Sequence, residues 1–134
     1  MVTPSAHLRI LLVIPAERRR EITRQLRPLN AELVFADPCG HTEDGIKEDD
    51  IFQVALLPAT LKDTAWWKLW GVLGLLNKRP AMLVYAREAT FQLWSGVLES
   101  GGYDVIVEPF SDAEIRNAVR RAAENFEERL SNDS

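Results

Sequence analysis

At 134 residues the chain fits a single domain that buries about two-thirds of the surface its unfolded form exposes. A hydrophobic content of 46% with 27% charged residues excludes a disordered or fibrous chain, and the net charge of −4 offers no bulk attraction to a phosphate backbone. The single cysteine, Cys39, excludes an internal disulfide, and the longest apolar stretch, Leu69 to Leu76, is far short of the ~20 residues that span a bilayer. No membrane association is expected, nucleic acid is disfavoured as a partner, and the lack of a charged-then-apolar leader makes a cytoplasmic location the expectation.

His7 to Ile14 is a nearly continuous apolar run rich in β-branched residues, the pattern of a strand buried on both faces of a parallel sheet. Pro15 suits the first turn of a helix, and Ile22, Leu26 and Leu29 recur behind it at helical spacing, which predicts a helix to about Pro28. Glu32 to Ala36 reads as a strand, stopped by Asp37-Pro38 and Gly40. Between His41 and Asp50 only Ile46 is strongly apolar, so a helix there is expected to be short or irregular. Ile51 to Leu57 gives a third strand, and Lys62 to Asn77 a helix with Asp63 or Thr64 as its cap. Ala81 to Ala86 is a fourth strand and Thr90 to Ser100 a helix closed by Gly101-Gly102. Tyr103 to Val107 is a fifth strand, and a long helix capped by Ser111 or Asp112 runs to about Leu130. Regular alternation of strands and helices implies a parallel sheet covered on both faces.

The segment SGGYDVIVEPF, with RPAMLVYA before it, resembles the end of response-regulator receiver domains, whose corresponding stretches read roughly A-G-A-D-D-Y-L-V-K-P-F and P-V-I-V-L-T-A. The resemblance runs from Leu8 to about Arg121 and implies a flavodoxin-like, CheY-like fold. In that family an acidic pair after the first strand binds magnesium, an aspartate ending the third strand takes the phosphoryl group, a threonine or serine after the fourth senses it, and a lysine before the proline pairs with it. This chain has Ile14 and Pro15, Pro58, Tyr85 and Glu108 at those positions, and Val105 where the family carries a mobile aromatic. Proline can be neither phosphorylated nor a magnesium ligand, and Glu108 reverses the sign of the lysine. The resemblance therefore implies a receiver scaffold without receiver chemistry, with Pro109 kept as the structural turn. Glu17 reads as a solvated glutamate favoured at a helix start, and Asp63 as a cap rather than an alternative acceptor.

Other groupings are weaker. Cys39 and His41 lie in a loop with no third orienting group and no second cysteine, which argues against catalysis or zinc binding. A nucleotide or flavin site needs a glycine- or hydroxyl-rich loop after the first strand, where this chain has Pro15 to Arg20, and neither His7 nor His41 is placed to ligate cobalamin. Arg18, Arg19, Arg20, Arg24 and Arg27 read either as a docking surface for an acidic partner or as a solvated face. Trp66, Trp67 and Trp70 belong to a helix apolar on every side, and are read either as an exposed interaction surface or as extra core. On the last helix, Asp112 with Arg116 and Arg120 with Glu124 stand at pairing distance.

The expectation is one domain over residues 1–134, with its core at about 7–130 and no output domain. Its fold class is α/β, a doubly wound five-stranded parallel sheet. The expected function is a degenerate, phosphorylation-independent receiver acting as a protein-interaction module in bacterial signal transduction. No catalytic residue, metal ligand or cofactor is expected. The partner is a protein of unknown identity, with a homodimer as one form. The alternatives are an atypical phosphorelay regulator and a small-molecule-binding domain whose pocket near Pro15, Pro58, Tyr85 and Glu108 would favour a cation or an amine.

Overall fold

The structure, a computed structural model, describes residues 8–36, 46–47, 50–59 and 63–133, with residues 63–67 and 133 in backbone only. Strands β1 (Arg9–Val13), β2 (Glu32–Ala36), β3 (Val54–Pro58), β4 (Ala81–Ala86) and β5 (Asp104–Val107) form one sheet in the order β2-β1-β3-β4-β5. Every pairing is parallel, with Leu11 opposite Val34 and Ala55, Leu56 opposite Leu83, and Val84 opposite Val105. The β1 run is thus interior, paired on both sides, as its unbroken apolar character requires.

Among the described residues, four α-helices cover the sheet: α1 (Arg19–Leu26), α2 (Asp63–Gly74), α3 (Phe91–Glu99) and α4 (Asp112–Asp133). Single 3-10 turns, Ala16–Arg18 and Arg27–Leu29, flank α1. Alternation along the strands sorts the core into two layers. Ile10, Leu12, Val54, Leu56, Leu83 and Tyr85 face Ile22 and Leu26 of α1 and Ile115, Val119 and Phe126 of α4. Leu11, Val13, Ala55, Leu57, Met82 and Val84 face Leu69, Trp70 and Leu73 of α2 and Val97 of α3. No helix among the described residues is long and apolar enough to cross a membrane.

Local chemistry sets the helix ends. Thr90 caps α3, its Oγ1 accepting from the Leu93 N–H at 3.1 Å. Ser111 and Glu114 make a reciprocal capping box at α4, with Ser111 Oγ accepting from the Glu114 N–H at 3.1 Å and Glu114 Oε1 from the Ser111 N–H at 2.8 Å. Of the two caps read from the sequence, Ser111 is the one used. Gly101 ends the α3 segment at φ +93°, a conformation open mainly to glycine. Gly102 is required for a different reason: a Cβ there would lie 2.5 Å from Val97 Cγ1 and 2.9 Å from Trp70 Cη2.

That contact selects between the two readings of Trp70. Trp70 is core, 7% exposed, and its indole Nε1–H donates to the Ser100 carbonyl at 2.9 Å. The indole turns inward because the glycine pair leaves a space beneath the α3–β5 turn that a large ring fills while its N–H finds a carbonyl. Among the α2 residues whose side chains are described, Lys68, Gly71 and Gly74 take the exposed positions. The side chains of Trp66 and Trp67, the cap at Asp63 or Thr64, Cys39, His41 and most of the 38–50 segment lie outside the described residues. On α4, Asp112 and Arg116 approach to 3.9 Å as expected, whereas Arg120 donates to Asn117 Oδ1 at 3.2 Å rather than pairing with Glu124.

Candidate functional site

All five strands run the same way, so their C-terminal ends converge on one edge of the sheet, where doubly wound folds place their sites. Pro58 ends β3 in register with Tyr85 of β4, and the Ala59 N–H donates to the Tyr85 carbonyl at 2.9 Å. Tyr85 is 5% exposed, and its hydroxyl donates to the Val13 carbonyl at 3.0 Å, bridging β4 to β1. Burial pushes this hydroxyl up to about 12, with the Arg18 guanidinium pulling it down and Glu108 pushing it further up. The Glu108 N–H donates to the Ala86 carbonyl at 2.8 Å, which carries the β4–β5 pairing one residue beyond the strand. The Glu108–Pro109 peptide bond is cis.

The decisive contact comes from a residue that sequence reasoning assigned elsewhere. Arg18 Nη1 donates to Glu108 Oε1 at 2.8 Å, with the two side chains 35% and 19% exposed. Its guanidinium also sits 5.5 Å from the centre of the Tyr85 ring and 5.9 Å from that of Phe110. One side chain thus ties the turn after β1 to the ends of β4 and β5. A signal for this was present: a carboxylate placed at the strand ends needs a counter-charge, and the arginine run behind β1 is the nearest source.

The arginine run is divided among several tasks rather than forming one face. Arg24 donates from Nη1 and Nη2 to Asp112 Oδ2 and Oδ1 at 3.1 and 3.2 Å, joined by Gln25 Nε2 at 3.1 Å. Arg116 Nε donates to the Gln25 carbonyl at 2.6 Å and completes the α1–α4 seam. Hydrogen bonds from Arg24 and then Gln25 hold the Asp112 carboxyl below its ordinary value. Arg19 lies over the Phe35 ring at 5.4 Å. Arg20 and Arg27 remain exposed.

The strand ends enclose a cleft of about 760 Å³ that brings together Pro15, Pro58, Tyr85 and Glu108 with Arg18, and its far wall is Ala86 to Glu88, Thr90 and Leu93. Two of the six positions singled out in the sequence do not line it. Ile14 is buried beneath, beside a small cavity against Tyr85 and Phe110, and Val105 packs on the α2 and α3 side of the sheet. Among the described residues, no group of three histidine, cysteine, aspartate or glutamate side chains is arranged to hold a metal ion. Of the cleft carboxylates, Glu17 and Glu88 are exposed, and Glu108 is held by Arg18. A hard divalent ion needs several oxygen ligands converging on one point, and this donor set does not provide them.

The sequence matches no family model and no curated protein. Solved structures decide the fold. The chain superposes on a response regulator receiver domain protein (CheY-like) from Methanospirillum hungatei JF-1 with a TM-score of 0.76, over 92% of this chain and 99% of that one, at 18% identity. This is the receiver fold. It superposes equally on the signal receiver domain of a Vibrio parahaemolyticus protein described as a Luxo repressor, with a TM-score of 0.78 over 96% and 98% of the two chains at 12% identity. The receiver domain of a Pseudomonas aeruginosa PAO1 sensor histidine kinase, with magnesium coordinated in its active-site cleft, matches with a TM-score of 0.69 over 89% and 99% at 19% identity. Within the receiver fold described here, the corresponding end of the sheet carries Pro58, Tyr85 and the Arg18–Glu108 pair.

A second feature escaped the sequence reading. Only Val97 of α3 is buried, while Phe91, Trp94 and Leu98 are 78%, 44% and 37% exposed. They recur at i, i+3 and i+7 and so form one stripe on the helix. Phe91 and Trp94 have ring centres 6.5 Å apart. The run FQLWSGVL holds no charge, which was the available signal.

Proposed function

We propose that this chain is a receiver-fold module that works by protein contact and without phosphorylation. The observation carrying this reading is the Arg18–Glu108 ion pair across the cleft, with Pro58 at the end of β3. Phosphoryl transfer to a carboxylate depends on an acceptor, a metal that neutralises developing charge and a cation that holds the product. Here the acceptor position carries a pyrrolidine ring with no oxygen, the metal positions are Ile14 and Pro15, and the cation, Arg18, is satisfied by a glutamate of the same chain. The Pseudomonas receiver coordinates magnesium in its active-site cleft, whereas the described carboxylates of this cleft are Glu17 and Glu88, both exposed, and Glu108, paired with Arg18.

The contact surface we assign is the α3 stripe of Phe91, Trp94 and Leu98, because exposed aromatic clusters of this kind mark interfaces on otherwise soluble domains. Incubation with acetyl phosphate and magnesium, read by intact mass, is expected to leave the chain unmodified, and beryllofluoride with magnesium to leave its tryptophan fluorescence unchanged. A stoichiometric phosphoryl adduct overturns the reading. Sedimentation velocity over a concentration series, with Trp94→Ser beside the native chain, then separates self-association from a different protein partner.

A further inference from the structure

The cleft at the strand ends has its polar groups satisfied from within. The Tyr85 hydroxyl is held by the Val13 carbonyl, the Glu108 carboxylate by Arg18, and the Ala59 N–H by the Tyr85 carbonyl. A glutamate beside a tyrosine suggests a site for a cation, and the chain supplies that cation itself: Arg18 occupies both the carboxylate and the ring face. The apolar part of the lining is Pro15, Pro58, Ala59, Ala86 and Leu93, and the Thr90 hydroxyl is engaged with the Leu93 N–H. Two of these apolar residues are rigid rings and two carry only a methyl group, so little side-chain freedom is lost when an apolar molecule packs against them. The volume of about 760 Å³ lies within the range of small-molecule sites.

We propose that this cleft binds an uncharged aromatic small molecule. A charged ligand loses its hydration there and finds Arg18 and Glu108 already paired with each other, whereas an aromatic face buries against the proline, alanine and leucine surfaces. At the rim, Glu17, Arg87 and Glu88 are of both signs and make no ion pair among the described residues, so the entrance favours neither charge strongly. Binding of this kind needs only the cleft and stands whether or not the chain works by contact. It gives the module an input that involves no phosphoryl group.

The test is a titration of the full chain with prodan, a neutral naphthalene dye, read by its emission. Saturable binding of one dye per chain with blue-shifted emission is expected. Ala59→Trp, which fills the cleft, and Leu93→Gln, which removes part of its apolar wall, should each weaken binding at least about tenfold with far-UV circular dichroism unchanged. Trp94→Ser, on the exposed side of α3, should leave the affinity as it is. If Ala59→Trp fails to fold, Leu93→Gln decides. Absence of saturable binding, native affinity in a folded cleft variant, or loss of binding only in Trp94→Ser overturns the proposal.

Discussion

Replacing Arg18 and Glu108 singly and together measures how strongly the chain's own charges tie the strand ends together. Two unit charges ~4 Å apart attract by about 4 kcal/mol at an effective dielectric near 20. Arg18 is 35% exposed, however, so solvent screening, desolvation and side-chain ordering cancel most of that attraction. The rings of Tyr85 and Phe110, at 5.5 and 5.9 Å, add about 0.5 kcal/mol each. Arg18→Met should therefore cost about 2 kcal/mol, because it removes both ring contacts and leaves Glu108, 19% exposed, without a counter-charge. Glu108→Gln should cost about 1 kcal/mol, since the guanidinium keeps its rings and can turn to solvent. The double variant should cost less than the sum by about 1 kcal/mol, and ~1 M salt should shrink this coupling. Urea unfolding followed by tryptophan fluorescence reads these differences, with about 4 °C in Tm for each kcal/mol as a second measure. Additive single effects, within ~0.3 kcal/mol, or a larger cost for Glu108→Gln than for Arg18→Met would refute the assignment of this pair as a clamp.

Gly102→Ala places a methyl group 2.5 Å from Val97 Cγ1 and 2.9 Å from Trp70 Cη2, and overpacking of this kind should lower stability by about 1–3 kcal/mol; an unchanged urea midpoint would show that the α3–β5 turn yields freely. Tyr85 should ionise late, near 12, so that the folded state loses stability as the pH rises from 10 toward that value; the absorbance titration near ~295 nm should lose its last phase in Tyr85→Phe. The same variant leaves the Val13 carbonyl without its hydroxyl donor and should cost about 1–2 kcal/mol at neutral pH, checked by denaturant unfolding. The lowered folded-state value of Asp112 means its contribution is present above the ordinary 3.8 and disappears as the pH falls through the lower folded value. Asp112→Asn should therefore destabilise at neutral pH and converge on the native chain at strongly acid pH, and a constant difference across the series would refute the α1–α4 seam.

The strands, their order of appearance and the helix ends at Thr90, Ser111 and Gly101 were legible because they depend on neighbours in the chain: apolar runs, an oxygen three residues before a free N–H, a backbone angle that only glycine adopts easily. The side-chain chemistry at Ile14, Pro15, Pro58, Tyr85 and Glu108 was legible for a similar reason, since residue identity alone says that Pro58 carries no carboxylate and Glu108 no ammonium. The α1 arginines, Trp70 and α3 were not, because burial and pairing depend on what the fold brings near. Arg18 lies 90 residues from Glu108, and Arg24 lies 88 from Asp112, so no local pattern marks either pair. Trp70 is inward because Gly102 vacates space 32 residues later, and Phe91 and Trp94 are outward because α3 needs only Val97 and part of Leu93 to cover its share of the sheet. Composition and periodicity set the alternation of strands and helices; only the packed sheet, by placing the ends of β1, β4 and β5 side by side, decided that a helix-start arginine would pair with a carboxylate at the strand ends.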